Sequence, residues 1–252
     1  MDWSDWTQGA DTPSRRLAGQ GFARLARADL GALARFDDAD TARLAPTWNR
    51  LPPDGWLRDG GRYRRRRHSC FVHVPATGAL EQVPHRAHWQ PVDYNALHGG
   101  IERMFDPIEA GVCQDPAWRR LLVALGDVFA QTERDAGREP PDRWYVEAHQ
   151  FRIDTSDGVG RPTPEGAHRD GVDYVAVILV ERADVRGGES RVFEADGPRG
   201  IRFVMGEPWS ALLLDDARVI HEATPIQPDG PDPHRDTLVL TYRRGGFQAP
   251  SA

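Results

Sequence analysis

The stretch PEGAHRDGVDYVAVILV, residues 164–180, decides the fold. It runs from a Gly/Pro-rich loop into a short apolar run rich in β-branched residues. Such a run, bounded by turn residues, predicts a strand. His168 and Asp170 stand two apart at its mouth. In extended chain, residues i and i+2 point the same way, so both side chains can address one ion. The triplet alone is weak, because about one His-x-Asp is expected by chance in a chain of this composition. A second one exists at His234-Arg235-Asp236. We read His234 and Asp236 as solvated turn residues after Pro231-Asp232-Pro233.

Outward from this stretch, β-rich runs at 144–153, 201–205, 210–214 and 237–242 alternate with Gly, Pro and Asp clusters. That spacing predicts a β-sandwich or barrel for the C-terminal half. Residues 117–134 read as the clearest amphipathic helix, and 14–36 carry leucines at roughly helical spacing. Residues 1–13 are expected to be a flexible tail. Residues 14–252 are expected to form one domain, with a helical and mixed part at 14–141 and a core at about 142–245. The fold class is α+β: a jelly roll with flanking N-terminal helices.

A two-His, one-carboxylate triad needs a further imidazole. His221 supplies it at the end of the run 211–220. Such a triad leaves metal positions open, which suits Fe(II) oxygenases. Arg235 opens the next β-run, 14 residues later, with Thr237 on the same side. A guanidinium fork beside a hydroxyl suits a buried carboxylate. On the 144–153 strand, Gln150 and Arg152 alternate with His149 and Phe151, and one pair must face inward. An inward Gln150 and Arg152 would fix a substrate carboxylate; the rival puts Phe151 in the core and Arg152 in solvent. Glu165 and Asp173 flank the metal motif and suit an amine, or cap a turn.

Composition excludes other classes. The 252 residues carry 32 basic and 38 acidic groups, a net charge of −6. That argues against a nucleic-acid or anionic-membrane binder. The run 62–67, Arg-Tyr-Arg-Arg-Arg-Arg, is therefore not read as a nucleic-acid patch; alternate arginines on a strand would face opposite sides, and some could pair with carboxylates. His85 and His88, bracketed by prolines, are read as loop residues. There is no lysine, which removes Walker A loops, protein kinases and Schiff-base chemistry. The two cysteines are far apart, excluding a zinc ribbon or dithiol site and fitting a reducing cytoplasm.

The run 164–175, then Gly187-Gly188-Glu189-Ser190, then 212–221 ending in His221, then Arg235-Asp236-Thr237, resembles the 2-oxoglutarate/Fe(II) dioxygenase family that contains bacterial L-isoleucine hydroxylases. Tyr94 to Phe105 and His149-Gln150-Phe151-Arg152 are similar too. The likeness spans nearly the whole chain. It implies a double-stranded β-helix, cupin-like, with Fe(II), 2-oxoglutarate and O2 as cofactors. It implies iron on His168, Asp170 and His221, and 2-oxoglutarate on Arg235 with Thr237. The expected reaction is hydroxylation of an unactivated C–H of a free L-amino acid or similar small metabolite, with release of succinate and CO2. The alternatives are a carrier-tethered or peptidyl substrate, or a non-catalytic cupin-like metal-binding protein. No nucleic-acid or membrane partner is expected; monomer and homodimer both remain open.

Overall fold

The computed structural model describes residues 12–94, 97 and 99–250. Nearly all of the expected tail, residues 1–11, lies outside them. Thr12 caps helix α1 (Pro13–Gln20), its hydroxyl accepting from Arg15 N. The leucine spacing over 14–36 does not give one helix. Gly21 takes φ 83°, a left-handed conformation that favours glycine, and ends α1. A strand, β1 (Phe22–Leu25), follows, then α2 (Arg27–Ala34).

Strand β1 joins the main sheet instead of packing outside it. With β2 (Arg64–Val74), β3 (Ala79–Gln82), β4 (Trp144–Asp154), β5 (Tyr174–Ala183), β9 (Ala211–Asp215) and β12 (His234–Arg243), it makes a seven-stranded sheet in the order β1-β9-β5-β12-β4-β2-β3. The N-terminal half thus supplies three of the seven strands, more than its mixed composition suggests. A smaller sheet, β10-β7-β8 (Val219–Ala223, Glu189–Glu194, Gly200–Val204), faces it. Two short strands, β6 (Val185–Gly187) and β11 (Ile226–Pro228), pair beside them. This is the two-sheet jelly roll.

Period-two alternation sorts each strand of the main sheet into two faces. On β4, Trp144, Val146 and Ala148 are fully buried against the helices, and so are Tyr174, Ala176 and Ile178 of β5. Helix α5 (Pro116–Asp135) lies beneath, presenting Trp118, Leu121, Leu125 and Phe129. Asp115 caps it through Ala117 N, and Pro116 fills its first turn. The helix approaches closely enough for Trp144 Nε1 to donate to Gly126 O at 3.0 Å. Phe22, Val175, Leu179, Val192, Leu212 and Val219 form a second, smaller core between the sheets.

The end of α5 is tied to the sheet through Glu133. Its carboxylate accepts from Arg138 Nε at 2.9 Å and from the Tyr174 hydroxyl, and pairs with Arg244 Nη2 at 2.9 Å. Burial pushes this acid up, but these three partners outweigh it and hold its pKa at about 2. A carboxylate depressed on folding adds stability above its ordinary value of 4.5, lost as the pH falls towards about 2. We therefore expect Glu133→Gln to be about 1–3 kcal/mol less stable at pH 7. The difference should shrink between about pH 5 and pH 2. Denaturant melts of both proteins across that range measure it, and a pH-independent difference would remove the Glu133 charge as the cause.

Candidate active site

The opposite face of the main sheet lines a cavity of about 1220 Å3, its open mouth included. Tyr145, Glu147, His149, Phe151 and Ile153 of β4 line it, alongside Arg235, Thr237, Val239, Thr241 and Arg243 of β12. His168, Asp170 and His221 line it from above.

These last three converge. His168 and His221 form an isolated antiparallel bridge, each N–H donating to the other's carbonyl at 3.0 Å. The bridge fixes the loop before β5 against β10. His168 Nδ1 stands 2.9 Å from Gly166 O, so that nitrogen carries the proton and Nε2 keeps its lone pair. Asp216 shapes the next turn, its carboxylate accepting from the N–H groups of Asp170, Gly171 and Val172 at 2.7–3.1 Å. Asp170 Oδ1 lies 3.8 Å from His168 Nε2, and Oδ2 lies 3.7 Å from His221 Nε2. No hydrogen bond joins the three side chains to one another.

Two further His/carboxylate clusters exist among the described residues, and proton positions set them apart. In the first, Glu147 Oε2 stands 2.6 Å from His88 Nδ1 and 3.0 Å from His68 Nε2. Arg66 donates to His149 Nδ1 at 2.6 Å, so neutral His149 carries its proton on Nε2, towards Glu147. Hydrogen bonds there occupy Glu147 Oε2 and His149 Nδ1, two of the atoms a metal would need. In the second, Glu181, His234 and Asp236, Asp236 is held by Arg152 at 2.6 and 2.7 Å, while His234 Nε2 has no hydrogen-bond partner among the described residues. The open set is His168, Asp170 and His221. Its donors are the kind that bind Fe(II): two imidazoles and one carboxylate, with a tautomer already fixed.

Arg235 is 4% exposed, lines the cavity and has no carboxylate within ion-pair distance among the described residues. Burial, with Arg182 nearby, pulls its pKa down to about 10. Thr237 stands beside it, also lining the cavity. Glu165 lines it too, with Oε1 3.6 Å from His168 Nε2 and a buried Oε2 that lacks a partner.

The other expectations need correction. Gln150 and Arg152 face away from the cavity. Gln150 Nε2 donates to Thr47 Oγ1 at 3.1 Å, and Arg152 spans Asp236 and Asn49. Their parity on β4 is that of Trp144, Val146 and Ala148, the helix-facing set. Asp173 also lies outside the cavity lining, paired with Arg244 at 2.6 Å. His234 and Asp236 are not solvated turn residues: they open β12 and are 5% and 0% exposed. The arginine run alternates as its strand requires, with Arg64 paired to Asp54. Arg64 and Arg66 turn inward from β2 and line the cavity. His88 sits in a loop but is buried on Glu147. The polar set Glu147, His149, Arg66 and Arg103 was thus missed. Its signal was the apolar parity of 144, 146 and 148, which leaves 145, 147, 149 and 151 to face the cavity.

A family profile described as 2OG-Fe dioxygenase matches residues 45–241. The solved structure of a bsmA homolog from Methylobium petroleophilum PM1 is 55% identical, with 95% of this chain and 94% of that one covered and a TM-score of 0.88. IDO from Bacillus thuringiensis is 14% identical, with 96% and 100% covered and a TM-score of 0.72. The Fe(II)/(alpha)ketoglutarate-dependent dioxygenase TqaL is 19% identical, with 92% and 85% covered and a TM-score of 0.68. No curated protein sequence matches the chain. This protein belongs to the 2OG-Fe dioxygenase family: it is a 2-oxoglutarate-dependent non-haem iron dioxygenase that uses Fe(II), 2-oxoglutarate and O2.

Proposed function

We propose that His168, Asp170 and His221 hold the iron and that Arg235, with Thr237, holds the far carboxylate of 2-oxoglutarate. The enzyme then hydroxylates an unactivated C–H of a free L-amino acid or similar small metabolite. Iron, 2-oxoglutarate and O2 supply, when bound, the oxidant for that bond, and succinate and CO2 leave. The protein's part is to position the C–H bond and exclude water.

The observation that carries the reading is the contrast between clusters. At His168, Asp170 and His221 the facing donor atoms stand 3.7–3.8 Å apart, beyond hydrogen-bond distance. In the other two clusters the carboxylates are already engaged, Glu147 by two imidazoles and Asp236 by the Arg152 guanidinium. Arg235 supports the cosubstrate assignment, because a buried guanidinium without an anion is costly until one arrives. Glu165 supports the amino-acid assignment: its unpartnered buried oxygen suits an ammonium group. No helix among the described residues is long and apolar enough to cross a membrane. Cys70 and Cys113 are free and buried, in keeping with a cytoplasmic location.

The test is an anaerobic titration of metal-free protein with Fe(II) and then 2-oxoglutarate, followed by visible absorbance. A new weak charge-transfer band is expected in the wild type. Tight iron binding without such a band would mean that 2-oxoglutarate does not chelate the metal.

A further inference from the structure

The described residues include four buried arginines: Arg64, Arg66, Arg103 and Arg235. All four line the cavity. Arg64 is neutralised by Asp54 at 2.7 Å. The other three have no carboxylate within 4.0 Å among the described residues. Arg235 is accounted for by 2-oxoglutarate. Arg66 and Arg103, 4% and 2% exposed, are not.

Their local contacts leave them unfinished. The Arg66 guanidinium stacks 3.7 Å from the Phe105 ring centroid and 4.4 Å from that of Phe151, and donates to His149. Arg103 Nη2 donates to Gln90 Oε1 at 3.0 Å. The Nε atoms of both are buried with no hydrogen-bond partner. Of the carboxylates that act on them from beyond ion-pair distance, Asp54 is already bound to Arg64 and Glu147 has one oxygen taken by His68 and His88, while Glu165 acts on Arg103 alone. Stacking on aromatic rings offsets only part of the cost of burying a guanidinium. Open donors on two such cations, on a cavity wall, call for an incoming carboxylate.

Its position separates this wall from the 2-oxoglutarate anchor. Arg66 on β2 is in register with Phe151 on β4, which is in register with Thr237 on β12. Two strand spacings, about 10 Å, lie between them. Arg103 is joined instead to the metal triad: Gln90, which accepts from it, donates to Asp170 Oδ1 at 3.2 Å.

We propose that Arg66 and Arg103 form a second carboxylate subsite, which takes the carboxylate of the primary substrate while Arg235 keeps that of 2-oxoglutarate. The inference rests on the functional reading above and sharpens it. The substrate is a free carboxylic acid of amino-acid size, with its carboxylate on this pair and any ammonium on Glu165. The short link from Arg103 through Gln90 to Asp170 places the oxidised carbon within a few bonds of that carboxylate.

The experiment is anaerobic calorimetry on the full chain loaded with Fe(II) and 2-oxoglutarate. The ligands are the twenty protein L-amino acids and the straight-chain acids from acetate to hexanoate, each compared with its carboxamide. Binding of a carboxylate but not of its carboxamide is expected. In Arg103→Gln that binding should weaken by about tenfold or more. The ligand-free variant should melt no lower than wild type, since an unpaired buried cation is removed. The proposal is overturned if no carboxylate of either set binds, if carboxamides bind equally well, or if Arg103→Gln binds as wild type does. Should that variant not fold, Arg66→Gln and the wild-type carboxylate–carboxamide comparison still decide. The charge-transfer band keeps the two readings apart. A band without carboxylate discrimination removes the subsite alone; carboxylate discrimination without a band removes the cosubstrate assignment alone.

Discussion

His168→Ala is expected to abolish succinate formation, by at least about 100-fold, while leaving the fold intact. Perturbing only the partners of a metal ligand commonly costs 10–100-fold in affinity or activity, so losing the ligand costs more. Only the side chain departs; the backbone bridge between His168 and His221 remains. Iron bound per chain, counted after desalting, should fall together with the charge-transfer band, and far-ultraviolet circular dichroism should not change. Turnover equal to wild type would remove His168 from the site and put the Glu147 cluster forward as its replacement.

Arg235→Ala is expected to raise the 2-oxoglutarate concentration needed for half-maximal succinate release, with far less effect on the rate at saturation. Truncating one partner of a buried charge pair costs about 2–5 kcal/mol, a factor of roughly 30 to several thousand in affinity. The sign for stability is opposite. Without cosubstrate, Arg235 is a buried cation lacking a counter-ion among the described residues, so the ligand-free variant should melt no lower than wild type. Added 2-oxoglutarate should then raise the melting temperature of the wild type and not of the variant. An unchanged cosubstrate requirement would move the anchor to Arg66 or Arg103.

The convergence of the proposed metal ligands was legible because two of the three are local. His168 and Asp170 share a strand mouth, and His221 ends an apolar run of its own. The strands from 144 onward were legible from their turn-bounded apolar runs. The N-terminal contribution was not. Leu25 belongs to a strand only because β9, almost 190 residues later, offers it a partner, and no local pattern reports that. The substrate face of β4 failed for a different reason. Gln150 and Arg152 are the polar residues that a ligand would want, yet Thr47 and Asp236 claim them from the helix side. For the arginine run the alternation was legible, but net charge says nothing about which arginines are buried. That required the register of β2 on β4.

Strand β12 is last in chain order but lies in the middle of the main sheet, between β5 and β4. During synthesis the earlier strands can gather only as two half-sheets, β1-β9-β5 and β4-β2-β3, each with one long edge awaiting its neighbour. Such open edges are sticky and pairing across long separations is slow, so the last strand sets the pace of folding. That same strand carries Arg235 and Thr237. If these two hold 2-oxoglutarate as proposed, a nascent chain gains its grip on the cosubstrate only as the sheet closes.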